Sequence, residues 1–504
     1  MKLFKLMENV SFNSNLPLEE INEIEIKDIA YNSRNCKEGF MFVALVGETV
    51  DGHRFVKNAY DNGARVFLLQ KGGSYNKQAM ELPADAVKIF VDDTRISLSR
   101  ISHNFFSKPS ESLKIIGVTG TKGKTTITNY IATVLNESGV NTGVIGTNGT
   151  FFNGTYEVTA NTTPESYELH RIFRKMLDNG VKCVAMEVSS GGIMQNRVED
   201  VDFDVAIFSN LSPDHIGPKE HPTFEHYLQC KARLFKMAKH GIINIDDEYA
   251  MDIIKTATCN VETFGIENNA DLTADNIKYS KEIDSLGVSF DCNTKEEKFP
   301  CFICSPGTFS IYNALAVIAV CKYLGVKREI MIDALKSAKV SGRVEVLPIL
   351  PYATIIVDYA HNGVSLENIL QTLKKYDHER LICLFGSVGG RTEIRRKELG
   401  DVAARECDIA ILTADNPDFE DPMNVIDDIA ESFEGSSCEV IKIADREEAV
   451  RYAVRNAQRG DMIVFAGKGH EKYQLINGEK LPFDEVAIAT DEARKIMEER
   501  ELLA

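Results

Sequence analysis

Residues 117–126 read GVTGTKGKTT, directly after the apolar run Leu113–Val118. A short apolar strand, a glycine-rich turn and Gly-Lys-Thr-Thr hold polyphosphate with few groups. The glycines let backbone N–H groups approach the phosphates, the following helix offers its positive N-terminus, and Lys124 neutralises charge between phosphates. Thr125 is then placed to put a hydroxyl on Mg²⁺. The longer form of this loop has a glycine five positions before Gly123, where this chain has Val118. The loop is therefore the shorter Gly120–Thr121–Lys122–Gly123 form, and Thr126 completes the helix start. Strand, turn and helix together predict a nucleoside triphosphate site.

Outward from that turn the pattern repeats. From Leu113 to about Val340 apolar strands alternate with functional turns and helices, and Val181–Val188 and Phe203–Phe208 are continuous apolar runs of the kind buried in parallel sheets. A helix is expected over Phe224–Lys239, and an antiparallel excursion over 255–305 with a turn at Gly287. Before the central segment, residues 1–110 mix β-rich runs such as Phe40–Val46 and Ala64–Leu69 with a helical stretch, Arg54–Asn62. A linker is expected around Pro109. A third segment, 343–504, holds Thr354–Val357, Leu381–Phe385, Asp408–Leu412 and Met462–Phe465, each followed by a polar turn and a helical pattern. The expectation is an α/β protein of three domains, 1–110, 111–342 and 343–504. The central one is a P-loop-type parallel sheet, the last is Rossmann-like and the first is a smaller α/β unit. Polar clusters follow the apolar runs, where open parallel sheets build their sites.

Composition narrows the class. A chain of 504 residues is too long for one core. A net charge of −18 offers no extended basic surface to nucleic acid. The opening MKLFKLMENV lacks an apolar core of signal-peptide length, and no stretch nears the roughly 20 apolar residues of a membrane span. A cytoplasmic protein without membrane insertion is expected. Eleven scattered cysteines do not form a disulfide framework, and the single CxxC at Cys301–Cys304 reads as strand residues near a turn.

Several strand ends carry groups suited to chemistry. Glu187 closes a buried run, and a carboxylate there can hold Mg²⁺, although strand-end glutamates are also commonly solvated or cap helices. His215 taken singly reads as a hydrogen-bonded imidazole, and Lys231 as a lysine on a helix face. Asp358 and His361 offer a carboxylate for a ribose and an imidazole face for a base. Arg391, after Gly389–Gly390, suits fork-like carboxylate recognition. Asp415–Asn416–Pro417 and Gly467–Lys468–Gly469–His470–Glu471 add polar groups at neighbouring strand ends.

Taken together these stretches resemble the Mur ligases, the ATP-dependent amino-acid-adding enzymes of peptidoglycan synthesis, and among them the members that add the third residue of the stem peptide. The resemblance rests on YNSR at 31–34, DGHRF at 51–55, GTKGKTT, NTTP at 161–164, MEVSS at 186–190, QNR at 195–197, NLSPDH at 210–215, CKARLF at 230–235, YNA at 312–314, GR at 342–343, DYAH, GGR at 389–391, DNP and GKGHE. It implies that Ser33 and the 48–50 turn bind a uridine nucleotide. Thr162, Thr163, Ser189, Gln195 and Arg197 would surround the muramoyl-peptide. Gly120, Thr121, Lys122, Gly123, Lys124, Thr125, Thr126, Asn313, Arg343, Asp358 and His361 would serve ATP. Thr125, Glu187, His215 and Lys231 would hold magnesium, Lys231 after CO₂ has converted it to a carbamate (N6-carboxylysine). The implied substrates are ATP, UDP-MurNAc-L-Ala-D-Glu and an amino acid, and the implied state is a monomer. Folylpolyglutamate- and cyanophycin-synthetase-like ligases are alternatives that lack the YNSR and DGHRF segment. A nucleotide-binding partner without activity is disfavoured by the retained Lys124, Glu187, His215 and Lys231.

The same resemblance bears on the amino acid. Members that use meso-diaminopimelate carry arginine directly after Asp-Asn-Pro, to pair with the far carboxylate; this chain has Asp418. An acidic side chain there would favour a distal ammonium, so L-lysine is expected first and ornithine second, with meso-diaminopimelate the alternative. Arg391, Asp415, Asn416, Asp418, Gly467 and Glu471 form the expected amino-acid set.

Overall fold

In the computed structural model the strand Lys114–Thr119 lies between Cys183–Glu187 and Phe203–Phe208, parallel to both. The structure describes residues 1–47, 50–72, 79–213, 216–217, 220–281, 285–338, 340, 342–390 and 393–503. Around that strand the parallel order is Asn260–Gly265, Ala238–Asn244, Phe203–Phe208, Lys114–Thr119, Cys183–Glu187, Thr142–Gly146. Two antiparallel strands, Gly149–Phe152 and Thr155–Glu157, extend it. The first strand of this segment sits in the middle: the chain leaves it for Thr142–Gly146 on one side and later crosses from Cys183–Glu187 to Phe203–Phe208 on the other. The carboxyl end of that first strand is the switch point at which open sheets receive ligands. Every residue of Cys183–Glu187 and Phe203–Phe208 is buried, which is why both are apolar apart from Glu187 and from Asp204, whose carboxylate accepts from Ile115 N and Lys114 Nζ.

The N-terminal segment forms a sheet in the order Asn13–Ser14, Val87–Val91, Val66–Gln70, Phe40–Val43, Asp28–Ala30. Successive side chains feed opposite cores. Met41, Val43 and Leu68 pack with Leu98 and Ile101, whereas Phe42, Phe67 and Leu69 pack with Val56 and Ala59. Asp93 starts the helix Thr94–Phe105 by accepting from the amides of Arg95 and Ile96.

The chain divides into two units, Met1–Asp271 with Ala316–Lys327, and Leu272–Leu315 with Arg328–Ala504. The second unit contains the antiparallel strands Leu272–Lys281, Leu286–Asn293 and Lys298–Ile303. It also holds a parallel sheet of Thr354–Asp358, Met462–Ala466, Leu381–Phe385, Ile409–Leu412 and Glu439–Lys442. Here too alternate residues face two cores, Ile356, Cys383 and Val464 in one and Ile355, Ile382 and Ile463 in the other. No helix among the described residues is long and apolar enough to cross a membrane.

Two local expectations are corrected. Gly287 is not a turn: it lies in the strand Leu286–Asn293 opposite Ser280, and a Cβ on it would fall 2.3 Å from the Phe302 ring. The glycine makes room for that ring. The helix expected over Phe224–Lys239 ends at Arg233, followed by the 3₁₀ turn Leu234–Lys236 and the strand Ala238–Asn244. Leu234 and Phe235 stay buried through the change, so apolar spacing alone does not mark it. Cys301 does lie on a strand, and all eleven cysteines are free.

His170, on the helix Ser166–Asp178, is fully buried with its ring 5.1 Å from that of His103. Burial pushes its pKa down to about 3, with His103 adding to the shift. The unfolded chain protonates near the ordinary imidazole value while the folded one does not, so stability present above that value is lost as pH falls toward about 3. One pH unit below the ordinary value this linkage removes about 1.4 kcal/mol. Denaturant unfolding of His170→Leu should show a smaller fall in stability than the parent over that interval; equal slopes would exclude His170 as the source.

Candidate active site

The loop after Lys114–Thr119 is shaped by its neighbour strand. Gly120 has φ 149°, and a Cβ on it would lie 2.0 Å from Ser209 Oγ and 3.1 Å from the Asn210 carbonyl. Only glycine fits. Thr121 N donates to Asn210 O at 2.9 Å, Lys122 N to Asn210 Oδ1 at 2.9 Å, and Ser209 Oγ to Lys122 O at 2.6 Å. Gly123, at φ 87°, starts the helix Lys124–Glu137 with no side chain on its first amides. Those amides are the groups that receive phosphate in such loops. Lys124 Nζ folds back onto the carbonyls of Gly120 (2.8 Å) and Thr121 (3.0 Å).

Glu187, 1% exposed, points to the same place. Its Oε1 accepts from Thr125 Oγ1 at 3.0 Å and Thr147 N at 2.9 Å, and its Oε2 from Thr147 Oγ1 at 3.2 Å. Room for the carboxylate comes from Gly146, where a Cβ would stand 2.2 Å from Oε1. Lys231, also 1% exposed, reaches the loop from the helix Phe224–Arg233. Its Nζ donates to Gly120 O at 2.9 Å and sits 4.5 Å from the Tyr227 ring centre. Tyr227 Oη is in turn 3.2 Å from Thr121 Oγ1. Thus Lys124, Thr125, Glu187 and Lys231 converge; His215 lies outside the described residues. A hydroxyl and a buried carboxylate are hard oxygen donors and fit Mg²⁺. Lys231 as an ammonium does not, and would join only as a carbamate.

Four of the residues expected around a muramoyl-peptide form one network. Thr163 Oγ1 is 3.0 Å from both Glu187 O and Ser189 Oγ, and Arg197 donates to Thr163 O at 3.0 Å and Gln195 Oε1 at 2.6 Å. Thr162 joins through Thr147, their hydroxyls 3.1 Å apart. Glu165 pairs with Arg95 at 3.1 Å and Arg197 at 3.6 Å, tying the network to the N-terminal segment. Ser33 is outside that network among the described residues. It is buried at the start of Ser33–Asn35, with Asn62 donating to its carbonyl at 2.9 Å. Residues 48 and 49 of the expected turn are not described.

In the second unit Asp358 accepts from the amides of Val344 (2.9 Å) and Ala360 (2.8 Å). Burial pushes its carboxyl up, opposed by Arg343. The Arg343 guanidinium lies 4.8 Å from the Tyr359 ring centre, and the His361 ring is 4.8 Å from the same ring. Arg343, Asp358 and His361 are therefore together; Asn313 is buried on the helix Thr308–Tyr323. The fully buried Lys468 gathers three of the residues expected at the amino acid, with Nζ 2.6 Å from Asn416 Oδ1, 3.3 Å from Glu471 and 3.4 Å from Asp415. Glu471 also accepts from Tyr359 Oη and Asn416 Nδ2, each at 3.3 Å. Gly467, at φ 107°, would bring a Cβ to 3.3 Å from Asp415 Oδ2. Asp418 is different. At φ 53°, its Oδ1 accepts from Gly478 N at 2.7 Å, capping the hairpin Tyr473–Ile476/Glu479–Pro482. The carboxylate expected to attract an ammonium is engaged by a backbone amide. Arg391 lies outside the described residues.

Known families match this arrangement along the chain. The Mur ligase middle domain matches residues 118–321, the Mur ligase glutamate ligase domain 342–469, and the Mur ligase family catalytic domain 25–106. The chain belongs to the Mur ligase family. It is similar to UDP-N-acetylmuramoyl-L-alanyl-D-glutamate–2,6-diaminopimelate ligases of Clostridium botulinum and Caldanaerobacter subterraneus subsp. tengcongensis. The first is 40% identical over 94% of this chain and 96% of the relative, the second 38% over 93% and 95%. A solved structure of a ligase with the same name superposes with a TM-score of 0.68 at 29% identity, covering 94% of this chain and 95% of the other.

For this Mur ligase, Lys468, Tyr227, Thr147 and Glu165 are the structural participants that sequence reading did not assign. Lys468 stood in view inside GKGHE, but only the fold shows it fully buried among two acids. Removing a buried partner strands the remaining charges, at a cost of about 3–5 kcal/mol. Lys468→Met should lose stability on that scale in denaturant unfolding; a change below about 1 kcal/mol would deny Lys468 its organising role.

Proposed function

We propose that this Mur ligase couples ATP cleavage to joining a diamino acid, meso-diaminopimelate first, to UDP-MurNAc-L-Ala-D-Glu. The reading is carried by the Thr125–Glu187 pair set against a glycine loop with Lys124 and Lys231 at its rim. The names of relatives at 38–40% identity support the choice of amino acid. The charge argument for lysine is weakened because Asp418 Oδ1 already accepts from Gly478 N and holds the side chain to the hairpin. In this assignment residues 1–110 take the uridine end, 111–342 the triphosphate and 343–504 the incoming amino acid.

Loop amides and Lys124 hold the phosphates while Arg197, Thr162, Thr163, Ser189 and Gln195 orient the peptide. The free substrate carboxylate attacks the γ-phosphorus, forming an acyl phosphate as the bond to ADP breaks. The amine of the diamino acid then attacks the acyl carbon, phosphate leaves, and the amine proton passes to solvent. Asn313, Arg343, Asp358 and His361 are assigned to the nucleotide, and Ser33 to the uridine end. Asp415, Asn416, Gly467, Glu471 and Arg391 are assigned to the amino acid. Thr125, Glu187, His215 and carbamylated Lys231 are the residues that would hold Mg²⁺, which when bound neutralises charge on the transferring phosphoryl group.

ADP release by the purified protein should require both UDP-MurNAc-L-Ala-D-Glu and a diamino acid, with meso-diaminopimelate at least about tenfold faster than L-lysine or L-ornithine. Faster turnover of lysine would overturn the amino-acid assignment alone. ATP hydrolysis indifferent to both substrates would overturn the ligase reading. Lys231→Arg keeps a cation but cannot become the carbamate, and should lower kcat by roughly 100-fold or more. Near-normal turnover by that variant would remove the carbamate.

A further inference from the structure

The segment from His221 to Cys230 carries donors that the ligase reading leaves unused. His226 and Cys230 stand four apart on the helix Phe224–Arg233 and so share a face, with His221 just ahead of it. The Nδ1 atoms of His221 and His226 are 2.9 Å apart, and Cys230 Sγ is 3.9 Å from His226 Nδ1. One donor atom from each of the three lies within 4.8 Å of the others, the only such His/Cys/Asp/Glu group among the described residues. His221 and Cys230 are buried, and His226 is half-buried.

Nitrogen and sulfur ligands of a tetrahedral zinc ion stand about 3.3–3.7 Å from one another. Shifts of about 0.5 Å would bring both separations from His226 into that range. We propose that His221, His226 and Cys230 form a binding site for a soft divalent transition metal of the zinc class, with a fourth position left to solvent. Two imidazoles and a thiol select against Mg²⁺, which takes oxygen. Loading is balanced by one proton: the Cys230 S–H bond breaks, the sulfur–metal bond forms and the proton goes to solvent. The imidazoles keep their protons by carrying them on Nε2. The donor set is separate from Thr125, Glu187 and Lys231. The His221 ring nevertheless lies 5.0 Å from the Tyr227 ring, whose hydroxyl reaches Thr121, so the site abuts the phosphate loop.

The test is a Co²⁺ titration of full-length, chelator-treated protein in excess Mg²⁺, which fills oxygen sites. The expected result is one equivalent of Co²⁺ with a thiolate-to-cobalt charge-transfer band, displaced by Zn²⁺. That band should be lost in Cys230→Ser, and the apparent Kd should rise at least about tenfold in His226→Ala. No charge-transfer band, a full band in Cys230→Ser, or unchanged affinity in His226→Ala would each overturn the proposal. The readout is independent of ligase turnover, so its failure leaves the proposed function untouched.

Discussion

A buried carboxylate at the end of a parallel strand is the constraint on which this site depends. Glu187 is out of water, so its charge must be met by donors, and Thr125, Thr147 and the gap at Gly146 meet it. Hydrogen bonds to a charged group contribute about 1.5–3 kcal/mol each, whereas an unmet buried charge costs several. The two donors and the carboxylate come from three different strand ends, which brings the loop, Glu187 and Thr147 into fixed register. Pre-organisation of this kind suits a reaction whose catalysis is mainly positioning and charge stabilisation.

The strands and the loop were legible because their causes are local. Phe203–Phe208 and Cys183–Glu187 are buried on both faces and therefore mostly apolar, and GTKGKTT shows in its own letters the glycines its turn needs, although Ser209 and Asn210 of the next strand end complete its shape. Lys231 was not legible from pattern: it meets Gly120 across 111 residues of chain. A helix-face lysine and a lysine at a phosphate loop look alike until the fold is known, and here only the resemblance singled it out. Gly287 misled for a related reason. Glycine marks a turn in most contexts, and the Phe302 ring that demands it belongs to another strand. The boundary at Arg233 was hidden because burial persists from helix into strand. His215 and Arg391 lie outside the described residues.

The overall acidity of the chain is no guide to its site. Cations are gathered locally: Lys124 and Lys231 at the loop, Arg95 and Arg197 on Glu165, Lys468 among Asp415, Asn416 and Glu471. Most of these positive groups are braced against carbonyls or carboxylates of the protein itself. An anion approaching any one of these groups would have to replace the partner it already has.

The turn cap at Asp418 carries a consequence for substitution at this corner of the fold. Its backbone sits in a left-handed well and its side chain closes the neighbouring hairpin. A long basic residue placed there would forfeit both the cap and an easy backbone conformation. Replacing this residue is thus a coupled change, in which the hairpin must be rebuilt along with the turn that it closes.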